Sequence, residues 1–218
     1  MKSQSTLHGR IIKKYKIPKV EIDDINYKYE KVKKNLSSYG RRLAGRIDSE
    51  LEFTNILEST TAFSTMTDCM SDYLKTLESF SVLCKGPHHM KILSCWINDM
   101  VEGEYNPPHT HHNLRGWSTV LFLKIPPLTP IKKTWPHKIK DGQLGFINVD
   151  GISTNWFTPK VGDFYIFEAK HQHSVMPFKT RNKNDIRRSM SFNFITFAEE
   201  ERWKIIEGVD GGNIVHAK

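Results

Sequence analysis

The chain has 218 residues, 38% hydrophobic and 26% charged, enough to bury a full core, and no apolar run approaches the roughly 18 residues that a membrane helix needs. Its three cysteines, Cys69, Cys84 and Cys95, are odd in number and form no CxxC pair, which argues against a disulfide framework or a cysteine zinc site. The net charge of +8 is concentrated in residues 1–46, which hold 13 Lys and Arg against 4 Asp and Glu, whereas the rest holds 19 against 20.

Residues 1–20 are polar and lysine-rich, contain Pro18, and read as a loose or strand-like lead-in without the apolar core of a secretory signal. A helix is expected to start at Asp23-Asp24, where acids favour the positive end of the macrodipole. Ile25, Tyr29, Val32, Leu36, Tyr39 and Leu43 form one apolar stripe along it, weakened near residue 38. Thr65 and Asp68 resemble a capping box, and Met66, Cys69, Met70, Tyr73, Leu74 and Leu77 keep helical period to about Phe80.

After Gly86-Pro87 the period changes to two. Residues 91–100, 108–112, 118–126, 143–149, 164–169, 174–178 and 187–197 read as strands separated by turn signals such as Asp141-Gly142 and Val161-Gly162-Asp163. Short strands at this spacing predict a mainly β sandwich or jelly roll with N-terminal helices in support. The lysine- and proline-rich segment 127–141 is a long connection or a lid. A short helix and a frayed tail are expected from Glu199. One domain is expected over 1–218, with 1–85 as basic helical support, 86–197 as the jelly-roll core and 198–218 as the tail.

The chemistry is carried by two histidine-rich stretches. In Asn106-Pro107-Pro108-His109-Thr110-His111-His112, His109 and His111 share one face of a strand, while His112 points away. In His171-Gln172-His173-Ser174-Val175-Met176-Pro177, parity alone does not choose between His171 and His173. Two imidazoles from one strand and a third from a distant one form a three-point metal site, although imidazole by itself does not name the metal. His8, His88, His89, His137 and His216 are expected to be solvated, and Trp117 and Trp156 to pack.

The order Trp96-Ile97-Asn98, Tyr105 to His111, Gly116-Trp117-Ser118, Gly142 to Phe146, Pro159 to Phe167, His173-Ser174-Val175-Met176-Pro177 and Arg187-Arg188-Ser189-Met190-Ser191-Phe192-Asn193 resembles the Fe(II)/2-oxoglutarate-dependent dioxygenases. Within them it is similar to the prolyl-4-hydroxylase-like branch, which includes small oxygenases of bacteria and phages. The likeness runs from about Cys95 to Phe194 and extends in part to Leu43-Ala44-Gly45.

The resemblance implies a double-stranded β-helix, Fe(II) as metal, 2-oxoglutarate as cosubstrate and O2 as oxidant, with C–H hydroxylation and release of succinate and CO2. His109 and His173 take the positions of the two histidine ligands. His111 stands where the family has a carboxylate, and Asn113, or a site with two protein ligands, is the alternative. Arg187 or Arg188 pairs the far carboxylate of 2-oxoglutarate; strand parity with Ser189, Ser191 and Asn193 favours Arg187. Ser118, Val120 and Phe122 share the parity of a pocket wall, Phe122 lacking the hydroxyl of a tyrosine.

Two other readings are a cupin-type three-histidine enzyme without 2-oxoglutarate and a non-catalytic jelly-roll binding module. The cupin pattern lacks its usual glutamate three or four residues after His111. The substrate is unknown, a peptide or protein being the family precedent. The basic N-terminal segment suits an acidic partner; nucleic acid is allowed by charge but accompanied by no motif. A cytoplasmic location is expected, in the host's cytoplasm if the chain is phage-encoded.

Overall fold

Alternation of apolar and polar residues from Ile11 onward builds two antiparallel sheets whose facing surfaces enclose the histidines. The computed structural model describes residues 4–7, 10–83, 85–111, 115–129, 140–151, 153–197 and 214–216. The N-terminal part forms strands β1 (Gln4–Leu7) and β2 (Ile11–Lys16), helix α1 (Lys19–Val32), strand β3 (Ser49–Glu52), helix α2 (Thr54–Leu57) and helix α3 (Ala62–Ser79). Strands β4 (His89–Met100), β5 (Asn106–His109), β6 (Trp117–Lys124), β7 (Leu144–Ile147) and β8 (Thr154–Phe157) follow. The order closes with β9 (Asp163–Glu168), β10 (His173–Val175), β11 (Arg187–Phe197) and β12 (Ile214–His216).

The larger sheet has the order β1-β2-β9-β6-β11-β4-β12, with β3 also paired to β4; the smaller has the order β5-β10-β7-β8. Both are antiparallel and together form the jelly roll. Strand parity divides the large sheet's side chains between two cores. Leu121, Phe164, Ile166, Met190 and Phe192 pack with Ile25 and Tyr29 of α1 and with Met66, Met70 and Tyr73 of α3. Val120, Phe122, Tyr165 and Phe167 point the other way and meet Leu144, Phe146 and Val175 of the small sheet. The site lies in this second, inter-sheet layer.

Polar ties fix the helices to the large sheet. Arg188 forks onto Asp99, with Nε–Oδ1 at 2.5 Å and Nη2–Oδ2 at 2.9 Å, and also donates to Glu30 and Asn26 of α1. Lys13 of β2 donates to Asp72 of α3 at 2.5 Å. Among the described residues, no helix is long and apolar enough to cross a membrane.

Several expectations shift. Helix α1 starts at Lys19, directly after Pro18, whose fixed φ suits a helix entrance, and it ends at Val32. Leu36 is already extended, and Tyr39 precedes a 3₁₀ turn at residues 40–42, so the apolar stripe is helical only through Ile25, Tyr29 and Val32. Thr65 lies inside α3, where its hydroxyl donates to Glu21 Oε1 at 2.9 Å instead of capping. The N-terminal part is not helical support alone, because β2 and β3 belong to the large sheet. Strand β8 was not anticipated, and β12 replaces part of the expected tail. Most of segment 127–141 and residues 198–213 lie outside the described residues. Cys69 and Cys95 are buried, and neither is in a disulfide among the described residues.

Candidate active site

His109 ends β5 and His173 begins β10, and the two are Cα partners in the antiparallel pair, which brings their side chains together on one face. His111 follows two residues after His109, its backbone N–H donating to Ala169 O at 3.0 Å. The ring centroids lie 4.2 Å apart for His109 and His173, 5.2 Å for His111 and His173, and 5.7 Å for His109 and His111. One ring nitrogen of each lies within 4.8 Å of the others.

Hydrogen bonds set the tautomers of two rings. His109 Nδ1 is 2.7 Å from Pro107 O, and His173 Nδ1 is 2.9 Å from His171 O. A carbonyl only accepts, so each Nδ1 carries the hydrogen and each neutral ring keeps a bare Nε2. His171 is held in turn by its Nε2 donating to Ile147 O at 3.1 Å, which explains its burial. It positions His173 and is not a member of the cluster. His111 Nε2 lies 3.1 Å from Ser118 Oγ.

Burial lowers the pKa of all three clustered histidines, to about 3 for His111, with His109 adding repulsion there. They are therefore neutral near pH 7, the state in which imidazole binds a metal.

A chamber continues from the cluster between the sheets, lined by Asn98 and Met100 of β4, Val120 and Phe122 of β6, and Arg187, Ser189 and Ser191 of β11. Arg187 is only 2% exposed. Its Nε has no hydrogen-bond partner, its Nη1 is 3.7 Å from the weakly accepting sulfur of Met100, and its guanidinium carbon lies 5.0 Å from the Phe122 ring centre. Among the described residues no carboxylate pairs with it. Burial alone pushes its pKa down from 12.5 to about 10. Arg188, one residue on, points to the helices and is ion-paired to Asp99 and Glu30.

The structure thus brings His109, His111 and His173 together and lines one chamber with Phe122, Arg187 and Ser189. His112 and Asn113 lie outside the described residues. His88 is not free in solvent but bonds Glu78 at 2.8 Å; His89 opens β4 and His216 ends β12. Trp117 stacks on Phe194 at 5.4 Å, and Trp156 covers Gly145.

Further residues complete the site, of which only Leu43 and Ala44 belonged to the resemblance read from sequence. Leu43 and Ala44 line both the chamber and a wider cleft of about 740 Å³ that opens onto His109 and His111. Arg41, Arg42 and Arg115 border that cleft. Their signal was present only as charge, because nothing in a helical stripe or a turn marks an arginine as facing a cavity.

Comparison with known proteins bears on this chemistry. The family model described as "Putative 2OG-Fe(II) oxygenase" matches residues 94–193. No curated protein matches by sequence. Among solved structures, a Pseudomonas putida prolyl-4-hydroxylase has a TM-score of 0.58 at 16% identity, covering 88% of this chain and 94% of its own. A Trichoplax adhaerens prolyl hydroxylase, in complex with a hypoxia inducible factor peptide, has a TM-score of 0.54 at 13% identity, covering 90% and 87%. The α-ketoglutarate-dependent carbocyclase SnoK from nogalamycin biosynthesis has a TM-score of 0.56 at 8% identity, covering 95% and 92%. At these identities the structural likeness establishes the fold. The stretch 94–193 matched by that family model contains the three clustered histidines and Arg187.

Proposed function

We propose that the chain is an Fe(II)- and 2-oxoglutarate-dependent hydroxylase in which His109, His111 and His173 hold the metal and Arg187 pairs the far carboxylate of the cosubstrate. The observation that carries this reading is Arg187 itself, a buried guanidinium with an orphaned Nε and no carboxylate among the described residues, in the same chamber as three neutral imidazoles. A buried unpaired charge is costly, and an anion that enters the chamber supplies its partner. A diacid with a metal-chelating end and a free carboxylate fits both ends of this arrangement.

The donor set fits iron: neutral imidazoles suit Fe(II), and no thiolate is in the cluster to favour a softer ion. With both groups bound, the chemistry supplied is oxidation by O2, in which 2-oxoglutarate leaves as succinate and CO2 and a substrate C–H bond becomes C–OH. The chain's own part is positional. The Pro107 and His171 carbonyls fix which nitrogen of His109 and His173 faces inward. Phe122 and Met100 wall the guanidinium with apolar surface and exclude water from it, and the Ser189 hydroxyl is a further donor toward the bound carboxylate.

Anaerobic titration of the Fe(II)-loaded protein with 2-oxoglutarate tests this. A new metal-to-ligand absorption band, followed on exposure to O2 by succinate formation, is the expected outcome. Fe(II) binding with neither band nor succinate would leave a three-histidine centre of the cupin kind.

A further inference from the structure

We propose that the substrate oxidised at this centre is an acidic peptide segment whose carboxylates are held by Arg41, Arg42 and Arg115 at the mouth of the site. The inference rests on the oxygenase reading above and deepens it by naming the substrate class.

The cleft of about 740 Å³ has His109 and His111 in its own lining, so whatever it binds lies beside the metal position. Its lining contains three arginines and no Asp or Glu. All three are exposed, and among the described residues none is ion-paired to a carboxylate, whereas Arg10 and Arg188 elsewhere are. They come from two separate segments, the 3₁₀ turn at residues 40–42 and the approach to β6, so an occupant meets guanidinium from both. Three uncompensated cations around a concave opening give a positive potential that concentrates anions there. Guanidinium is the side chain whose planar fork matches a carboxylate in two-point contact. The positive charge of the N-terminal segment thus has a use at the site, because Arg41 and Arg42 belong to it.

The aromatic groups of the cleft separate a peptide from a nucleic acid. Single-stranded nucleic acid is held by open aromatic faces on which bases stack. Here Tyr39 is already stacked on Trp96 at 5.3 Å and 16°, and Arg42 lies over the Tyr39 ring at 5.4 Å. Trp96 in turn is 5.9 Å from His111. These faces are spent on one another, and the ladder they form braces the wall from Arg42 to the metal position. What remains is small and mixed: Leu43, Ala44, Leu93, Ser94 and Thr110, a surface for peptide backbone and short side chains.

The test uses fluorescein-labelled hexaglutamate on the full-length, metal-free chain, read by fluorescence anisotropy, with hexaglutamine and hexathymidylate as comparison probes. Hexaglutamate is expected to bind, hexaglutamine not, and the Arg41→Ala/Arg42→Ala/Arg115→Ala variant to bind hexaglutamate at least about tenfold more weakly. The single reversal Arg115→Glu should weaken it in the same direction, which keeps the test open if the triple variant folds poorly. Undiminished binding by both variants would assign the interaction to lysines elsewhere and overturn the proposal. Hexathymidylate binding as tightly as hexaglutamate would overturn it in favour of nucleic acid, and free glutarate displacing the probe at equal concentration would do so in favour of a small acid. The thermal shift that 2-oxoglutarate produces with Ni(II) is measured alongside. Its absence in the unmodified chain would sink the oxygenase reading, and its survival in the triple variant shows that the loss of peptide belongs to the mouth.

Discussion

Replacing Arg187 by methionine should stabilise the protein that it disarms. The guanidinium is fully buried, and its pKa is pushed from 12.5 to about 10, so the folded state holds the charged form at a cost of about 3 kcal/mol, at 1.36 kcal/mol per pH unit. The sign follows from linkage. The charged form is disfavoured by folding, so the cost is fully present at pH 7 and is relieved only as pH rises from about 10 towards 12.5. Arg187→Met removes the charge while keeping an unbranched chain between Phe122 and Met100. The metal-free variant should therefore melt several degrees higher, since about 1 kcal/mol corresponds to roughly 2–4 °C in a chain of this size.

The same substitution should remove the response to cosubstrate. Losing one partner of a buried, hydrogen-bonded charge pair costs about 2–5 kcal/mol, or roughly 30- to 5000-fold in affinity. Differential scanning fluorimetry with Ni(II), with and without 2-oxoglutarate, reads both effects. Arg188→Met provides the contrast, because it strands Asp99, buried and bonded through both oxygens, and should cost about 3–5 kcal/mol. A metal-free Arg187→Met that melts well below the unmodified chain, or one that keeps its full 2-oxoglutarate shift, would refute the reasoning.

Three further outcomes follow from neighbouring parts of the structure. His109→Ala and His173→Ala should each weaken Ni(II) binding by at least about 100-fold in calorimetry while leaving the far-ultraviolet circular dichroism of the metal-free chain unchanged. Glu50 is buried, and burial together with Glu104 raises its carboxyl pKa from 4.5 to about 7. The folded state then binds the proton more tightly than the unfolded one, so stability falls as pH rises from 4.5 to about 7, and at higher pH up to about 3 kcal/mol has been lost. Glu50→Gln should flatten that part of the urea midpoint profile; an unchanged slope would remove Glu50 as its cause. Gly116 has φ +72°, and a Cβ there would stand 2.3 Å from Phe194 O, so Gly116→Ala should cost about 2–4 kcal/mol in urea unfolding. Because the Gly116 carbonyl also accepts from the Ala169 N–H, whose own carbonyl holds His111, Ni(II) binding should weaken with it.

What could be read before the structure was whatever a period of two or a fixed spacing records. Parity put Arg187 and Arg188 on opposite faces, and β11 is regular enough that Arg187 faces the chamber and Arg188 the helices. Parity could not separate His171 from His173, since both are buried and the difference lies in which ring faces the cluster. Leu36, Tyr39 and Leu43 kept helical spacing without being helical, because Val32 already leaves the helix for 3₁₀ turns and Tyr39 finds a better surface on Trp96. Thr65 looked like a cap because Asp68 follows it at capping-box spacing, yet the helix begins three residues earlier, with Ala62 fully buried in the core. Strand β3 was hidden by its composition: Ser49, Glu50, Leu51 and Glu52 lack β-branched residues and are held by pairing to β4. The mouth arginines were visible only as charge.

His111 is the position where this chain departs from the carboxylate of the family it resembles, and His111→Asp introduces that carboxylate. The consequences separate by state. Without metal, an aspartate at this half-buried place, where burial holds His111 neutral, is a partly desolvated anion facing the neutral rings of His109 and His173, so the variant should be less stable than the unmodified chain at pH 7. With Ni(II) or Fe(II) bound, the carboxylate becomes an anionic ligand, and the stabilisation gained on adding metal should exceed that of the unmodified chain. The added negative charge must also be felt by the next anion to arrive. Two unit charges about 4 Å apart interact by about 4 kcal/mol at an effective dielectric of 20, and partial compensation by the metal reduces this. An affinity for 2-oxoglutarate lower by about tenfold, some 1.4 kcal/mol, is therefore expected in the metal-loaded variant. Calorimetric titration of Ni(II) and then of 2-oxoglutarate into both proteins measures the two terms in order. If metal binding strengthens and 2-oxoglutarate binding does not weaken, the charge of residue 111 is not felt at the cosubstrate position. If neither changes, His111 is not a ligand, and the centre is held by His109 and His173 alone.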